Sequence, residues 1–126
     1  MNSIGNLILH LGGNIRQWII AGMGEAEDRR DRPSEFSEVG PIPADSLLKQ
    51  LREQIDQAQA TLAKLDAQKM LAERRIQGFE LNGWGALFDT IPHFKGHTQE
   101  IVSYTRWQLE EAYQFHWKPE SEEQGA

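Results

Sequence analysis

An all-α fold is predicted by three observations. Apolar residues recur at three- and four-residue steps in three separate segments, the pattern of amphipathic helices. Neither glycine nor proline interrupts the middle segment, Ala44 to Leu65. The 126 residues contain no cysteine, and a chain of this size buries roughly two-thirds of its unfolded surface, so one core forms without disulfide staples.

The first helix is expected over about 3–21, from Ile4, Leu7, Ile8, Leu11, Ile15, Trp18 and Ile19, with Asn2 or Ser3 placed to cap its free amides. The Ala21-Gly22-Met23-Gly24 run ends it. Residues 24–43 then mix many charges with three prolines and only Phe36, Val39 and Ile42 as large apolar residues, which reads as a long surface loop. Structureless loops beyond about 12–15 residues are uncommon in compact domains and often functional.

A second helix follows over about 44–65, built on Leu47, Leu48, Leu51, Ile55, Ala58, Leu62 and Leu65, with Asp45 near its positive end. Its other face, with Lys49, Arg52, Glu53, Asp56, Gln57 and Lys64, reads as solvated surface. Asp66–Lys69 is expected to turn the chain and Leu71–Leu81 to form an irregular or briefly extended crossover. A third helix is expected over about 82–113, bent by Pro92. Residues 118–126 form a polar, acidic tail, leaving a single domain over 1–117.

Composition narrows the function. Lys+Arg number 13 against 19 Asp+Glu, a net charge of −6, which opposes any broad grip on a phosphate backbone and argues against nucleic acid as a partner. The apolar stretch from Ile4 to Ile20 is preceded by no Lys or Arg and is broken by Asn6, His10, Asn14, Arg16 and Gln17. It therefore fits neither a signal peptide nor a membrane span, and a cytoplasmic protein with no membrane partner is expected. No glycine-rich phosphate loop and no Gly-x-Ser-x-Gly elbow occurs.

Of the four histidines, His93 and His97 are spaced i,i+4, which stacks two imidazoles on one helix face. The spacing alone is weak, since four histidines in a chain this long give such a pair by chance roughly one time in ten. At about 100° per residue, the pair lies roughly 100–110° from the expected core stripe of its helix (Leu87, Ile91, Phe94, Thr98, Ile101, Thr105, Leu109), and His10 lies at a similar angle on the first helix. Two such shoulders converge where two helices pack. Three imidazoles there would leave a coordination position open, as a catalytic site requires. The bland reading makes His10 a boundary histidine with a local partner, and His116 a packing or surface residue among Tyr113, Phe115 and Trp117. Asp89 and Glu100, one turn from the pair, and Asn6 and Asn14, one turn either side of His10, read as either solvated or ring-orienting groups. The four tryptophans read as core or interface.

Three segments in this order, Asn2-Ser3-Ile4-Gly5-Asn6-Leu7-Ile8-Leu9-His10-Leu11, Arg75-Ile76-Gln77-Gly78-Phe79, and His93-x3-His97-Thr98-Gln99-Glu100-Ile101, resemble the DinB-like (YfiT-type) metal-binding helical proteins. The resemblance spans Asn2 to about Tyr113. It implies a four-helix bundle with a long crossover and a divalent metal, nickel or zinc, on His10, His93 and His97. Family members carry a further helix ahead of the Asn-Ser-Ile segment, whereas this sequence starts at Met1. A bundle lacking that helix exposes an apolar groove, so a homodimer completing the core is expected, unless the chain is a fragment or its start is misplaced. The implied activity is transfer of a low-molecular-weight thiol, of the bacillithiol or mycothiol type, to a small electrophile; no residue stands out as the general base, and Glu100 is the nearby carboxylate that is the candidate for it. The alternative is a non-catalytic dimeric helical bundle with vestigial or adventitious metal binding.

Overall fold

In a computed structural model of the chain, residues 2–113 are described; His116, Trp117 and the 118–126 tail lie outside them. The fold is mostly helical with one small hairpin. In order come α1 (Ile4–Ile15), continued by a π-helical stretch (Arg16–Ala21), α2 (Arg32–Ser37), α3 (Ala44–Ala63), α4 (Ala67–Leu71), β1 (Arg74–Ile76), β2 (Phe79–Leu81) and α5 (Gly83–Leu109), which ends in a 3₁₀ turn (Glu110–Ala112).

Helix α1 is capped by Ser3 rather than Asn2. The Ser3 hydroxyl accepts the Asn6 amide at 3.1 Å while Asn6 Oδ1 accepts the Ser3 amide at 3.1 Å, a reciprocal capping box. Past Ile15 the ladder widens, with Gly22 N–H bonding Gln17 C=O at 2.9 Å. This stretch carries three consecutive large residues, Trp18, Ile19 and Ile20, all buried.

Central α1 separates the other two long helices. Gly5 faces Leu47, Gly12 faces Gln54 and Gly24 faces Thr61, so α1 and α3 run parallel. His10 meets His93 while Met23 meets Gly83, so α5 runs antiparallel to α1. A parallel pair needs a long connection, and residues 24–43 supply it. The core lies between these helices, around Trp18, Ile19, Met23, Ala58, Met70, Ile76 and Ala86. Three long helices are present among the described residues, and none is long and apolar enough to cross a membrane.

Three expectations need correction. The 24–43 segment is not all loop, because α2 forms within it, capped by the Asp31 carboxylate on Ser34 N–H at 3.3 Å with Pro33 in the first turn. It is held by polar bonds: the Asn6 amide donates to the carbonyls of Glu35 and Glu38, both at 3.0 Å. The expected turn at Asp66–Lys69 is the start of α4, with Asp66 accepting Lys69 N–H at 2.8 Å. The 71–81 crossover is briefly extended, as expected, and forms a hairpin closed by Gln77 and Gly78, whose φ values of 50° and 82° suit a two-residue turn of the I′ kind. Gln77 is fixed by Trp18, whose indole N–H donates to its Oε1 at 3.0 Å.

The third correction concerns α5. Its inward face is Gly83, Ala86 and Thr90, all buried, leading on to His93 and His97, whereas Ile91 of the expected core stripe is 60% exposed and Leu109 48%. The close approach of α5 to α1 selects small side chains along the line of contact, while Leu87 and Phe94 of the expected stripe pack partly buried against the core beside it; the histidine pair lies on the inward line, not its shoulder. Pro92 lies inside α5 on its exposed side.

Candidate metal centre

His10 of α1 and His93 and His97 of α5 converge. His10 Nε2 lies 3.1 Å from His93 Nε2. The ring centroids are 4.9 Å apart for His10 and His93, 4.9 Å for His10 and His97, and 4.5 Å for His93 and His97. One nitrogen from each ring falls within 4.8 Å of the other two. Ligand nitrogens on one tetrahedral zinc stand roughly 3.3 Å apart, so small ring rotations close the set. These are the only three side chains among the described residues that group in this way.

Burial favours the neutral form of His10 and His93. His10, 4% exposed, has its pKa lowered first by desolvation; the Glu35 hydrogen bond pulls it up and the Arg30 charge pushes it down again. His93 is lowered to about 4, by burial first and then by the other two rings. Neutral imidazoles with converging lone pairs are what a divalent cation of borderline softness requires.

The outer ring nitrogens are held in different ways. His97 Nδ1 bonds Glu100 Oε1 at 2.9 Å. Glu100 therefore meets the back of a ring, while its half-exposed carboxylate remains open to solvent. His10 Nδ1 lies 3.1 Å from Glu35 Oε1, and the same ring rests against Phe36, centroids 4.9 Å apart. His93 Nδ1 is buried with no hydrogen-bond partner among the described residues, as are Asn14 Oδ1 and Thr90 Oγ1 on neighbouring turns. Asp89 acts on His93 only through its charge. Asn6, one turn before His10, anchors the crossover by its two carbonyl bonds and does not touch a ring.

Glu35 and Arg30 went unremarked in the sequence. Arg30 donates to both oxygens of Glu35, at 2.9 Å each, and through its third nitrogen to Gln17 Oε1 at 2.8 Å. The Asp31-Arg32-Pro33 cap signal could have revealed α2, but no spacing marks Glu35 as turned inward.

No family model, curated protein or solved structure matches the chain. The resemblance to DinB-like proteins therefore rests on the three quoted segments, and the metal centre on its own geometry.

Proposed function

We propose that the chain is a DinB-like cytoplasmic metalloprotein in which His10, His93 and His97 hold one divalent ion, nickel or zinc, for transfer of a small thiol to an electrophile. The observation that carries this reading is the convergence of three imidazoles from two helices far apart in sequence. His10, His93 and His97 would hold the ion, which would supply the lowering of the pKa of a thiol or water toward neutrality. Glu100 orients His97 and is the carboxylate available to take up a proton from an incoming thiol. Beside it lies an open apolar hollow lined by Glu100, Ser103, Tyr104 and Trp107, suited to the apolar part of a small electrophile.

The second reading is a non-catalytic dimeric module, and one observation bears on the dimer it assumes. Trp84, Phe88 and Ile91 form an exposed apolar face on α5, at 50%, 79% and 60% exposure. A patch of this kind fits a second copy of the chain, and a homodimer belongs to both readings.

Metal content of protein purified without a polyhistidine tag tests the proposal, followed by thiol-transfer assays with several thiols. About one ion per chain in wild type, lost in His93→Ala, together with metal-dependent turnover, supports the enzyme. Bound metal without turnover across those thiols supports the module. Absence of metal in wild type after exposure to zinc and nickel, or undiminished metal in His93→Ala, overturns the metal reading.

A further inference from the structure

We infer that Glu35, clamped by Arg30, orients the His10 ring for metal, so that the crossover segment sets the affinity of the centre. This rests on the reading of His10, His93 and His97 as a metal site.

Glu35 is 6% exposed although its segment has almost no apolar core of its own, and the Arg30 side chain is 3% exposed. Burying a carboxylate and a guanidinium costs solvation that the pair's attraction only partly returns, so a buried pair on a surface crossover is weakly explained by stability. Its position explains it better. Glu35 Oε1 is shared between His10 Nδ1 at 3.1 Å and Arg30 at 2.9 Å.

Arg30 also approaches His10 Nδ1, at 3.2 Å. That nitrogen cannot accept from the guanidinium and donate to the carboxylate at once. His10 Nε2 faces His93, so the tautomer that leaves Nε2 free for metal carries its proton on Nδ1 and donates to Glu35. Arg30 then serves to hold the carboxylate still, through both of its oxygens.

A stripe of α1 receives this arrangement. Asn6 binds the Glu35 carbonyl, His10 the carboxylate, and Gln17 the far side of Arg30. Between them, Gly13 leaves the space in which the pair lies: a Cβ there would stand 1.9 Å from Glu35 Oε2 and 3.2 Å from Arg30 Nε. Positions 6, 10, 13 and 17 are spaced as one helix face, and that whole face is given to the crossover.

The test compares wild type with Glu35→Gln, alone and combined with His10→Ala, in cobalt(II) and zinc titrations against a chromophoric chelator. Nitrogen-15 imidazole shifts of the metal-free proteins are read alongside. Glu35→Gln is expected to weaken metal binding roughly 10–100-fold and to alter the cobalt ligand-field spectrum, as loss of a ring-orienting partner does. In the His10→Ala background the same change is expected to cost under about threefold, because the effect passes through His10. Wild-type His10 is expected to be protonated on Nδ1, and Glu35→Gln to mix the tautomers. Glu35→Asp, which keeps the charge but withdraws it by a methylene, is expected to bind metal more weakly as well, and it serves if the Gln variant does not fold.

Unchanged affinity in Glu35→Gln overturns the inference, as does an equal loss in the His10→Ala background, which would mark a charge acting at a distance. If wild type binds no metal, the metal reading fails by itself. The nitrogen shifts then still decide whether Glu35 sets the His10 tautomer, and an Nε2-protonated ring would reject it.

Discussion

His10 Nε2 and His93 Nε2 stand 3.1 Å apart although 83 residues separate them along the chain. Two neutral imidazoles at that distance cannot both present lone pairs without a shared proton or a cation between them. The contact exists because α5 lies close along α1, and α5 lies close because its inward residues before His93 are Gly83, Ala86 and Thr90.

Packing and site should therefore fail together. Ala86 of α5 is fully buried in the core cluster with Ile15, Trp18 and Ile19, so Ala86→Leu overpacks it. A stability loss of about 1–3 kcal/mol is expected in chemical denaturation. Because α5 is pushed from α1, the variant should also bind zinc at least tenfold more weakly in chelator competition. Loss of stability with wild-type affinity would show that the centre tolerates a displaced α5.

Acid should destabilise the metal-free protein through these rings. Folded His93 has its pKa lowered to about 4 and folded His10 is lowered too, against roughly 6.5 for an unfolded histidine. The unfolded chain thus binds more protons between about pH 4 and 6.5, so these rings make stability rise with pH across that window and level off above it. Thermal melts in chelator should show the Tm contribution, wild type minus His93→Ala, falling as pH drops from 7 to 4.5. A difference independent of pH would contradict the burial of a neutral His93. With metal bound, protons compete for the same nitrogens; retention at pH 4 would point to carboxylate ligands instead.

The exposed face of α5 gives a prediction about assembly. Phe88, 79% exposed, points away from α1. Phe88→Glu should convert a dimer to a monomer in sedimentation analysis, with metal affinity unchanged, because no ring of the centre is near that face. A monomeric wild type would remove the homodimer from both functional readings.

Asn6 links two structures, so its loss should be felt in both. Asn6→Ala removes the capping box and the two carbonyl bonds to α2. A cost of about 1–2 kcal/mol is expected, at the upper end for a lost cap, and the 24–43 segment should gain hydrogen exchange while α3 does not. Equal exchange in both would deny the anchoring role.

The long helices were legible because their apolar spacing is regular, and so was the i,i+4 pair His93 and His97. The partner on α1 was reached from a shoulder position and from the resemblance, and it meets the pair in space. The inward face of α5 was legible only in part, at Leu87 and Phe94, for a physical reason: the closest helix contact is made by Gly83, Ala86 and Thr90, small residues that carry no periodic apolar signal. Glu35 was illegible because a polar stripe of α1 holds it in place, and hydrogen bonding leaves no pattern of hydrophobicity to read.

An anomalous difference map collected at the zinc or nickel edge, from crystals of tag-free protein, tests the centre most directly. One peak is expected, at roughly 2.0–2.2 Å from a nitrogen of each of His10, His93 and His97. A map with no peak between these rings, or with the ion held by carboxylates elsewhere, would contradict the account.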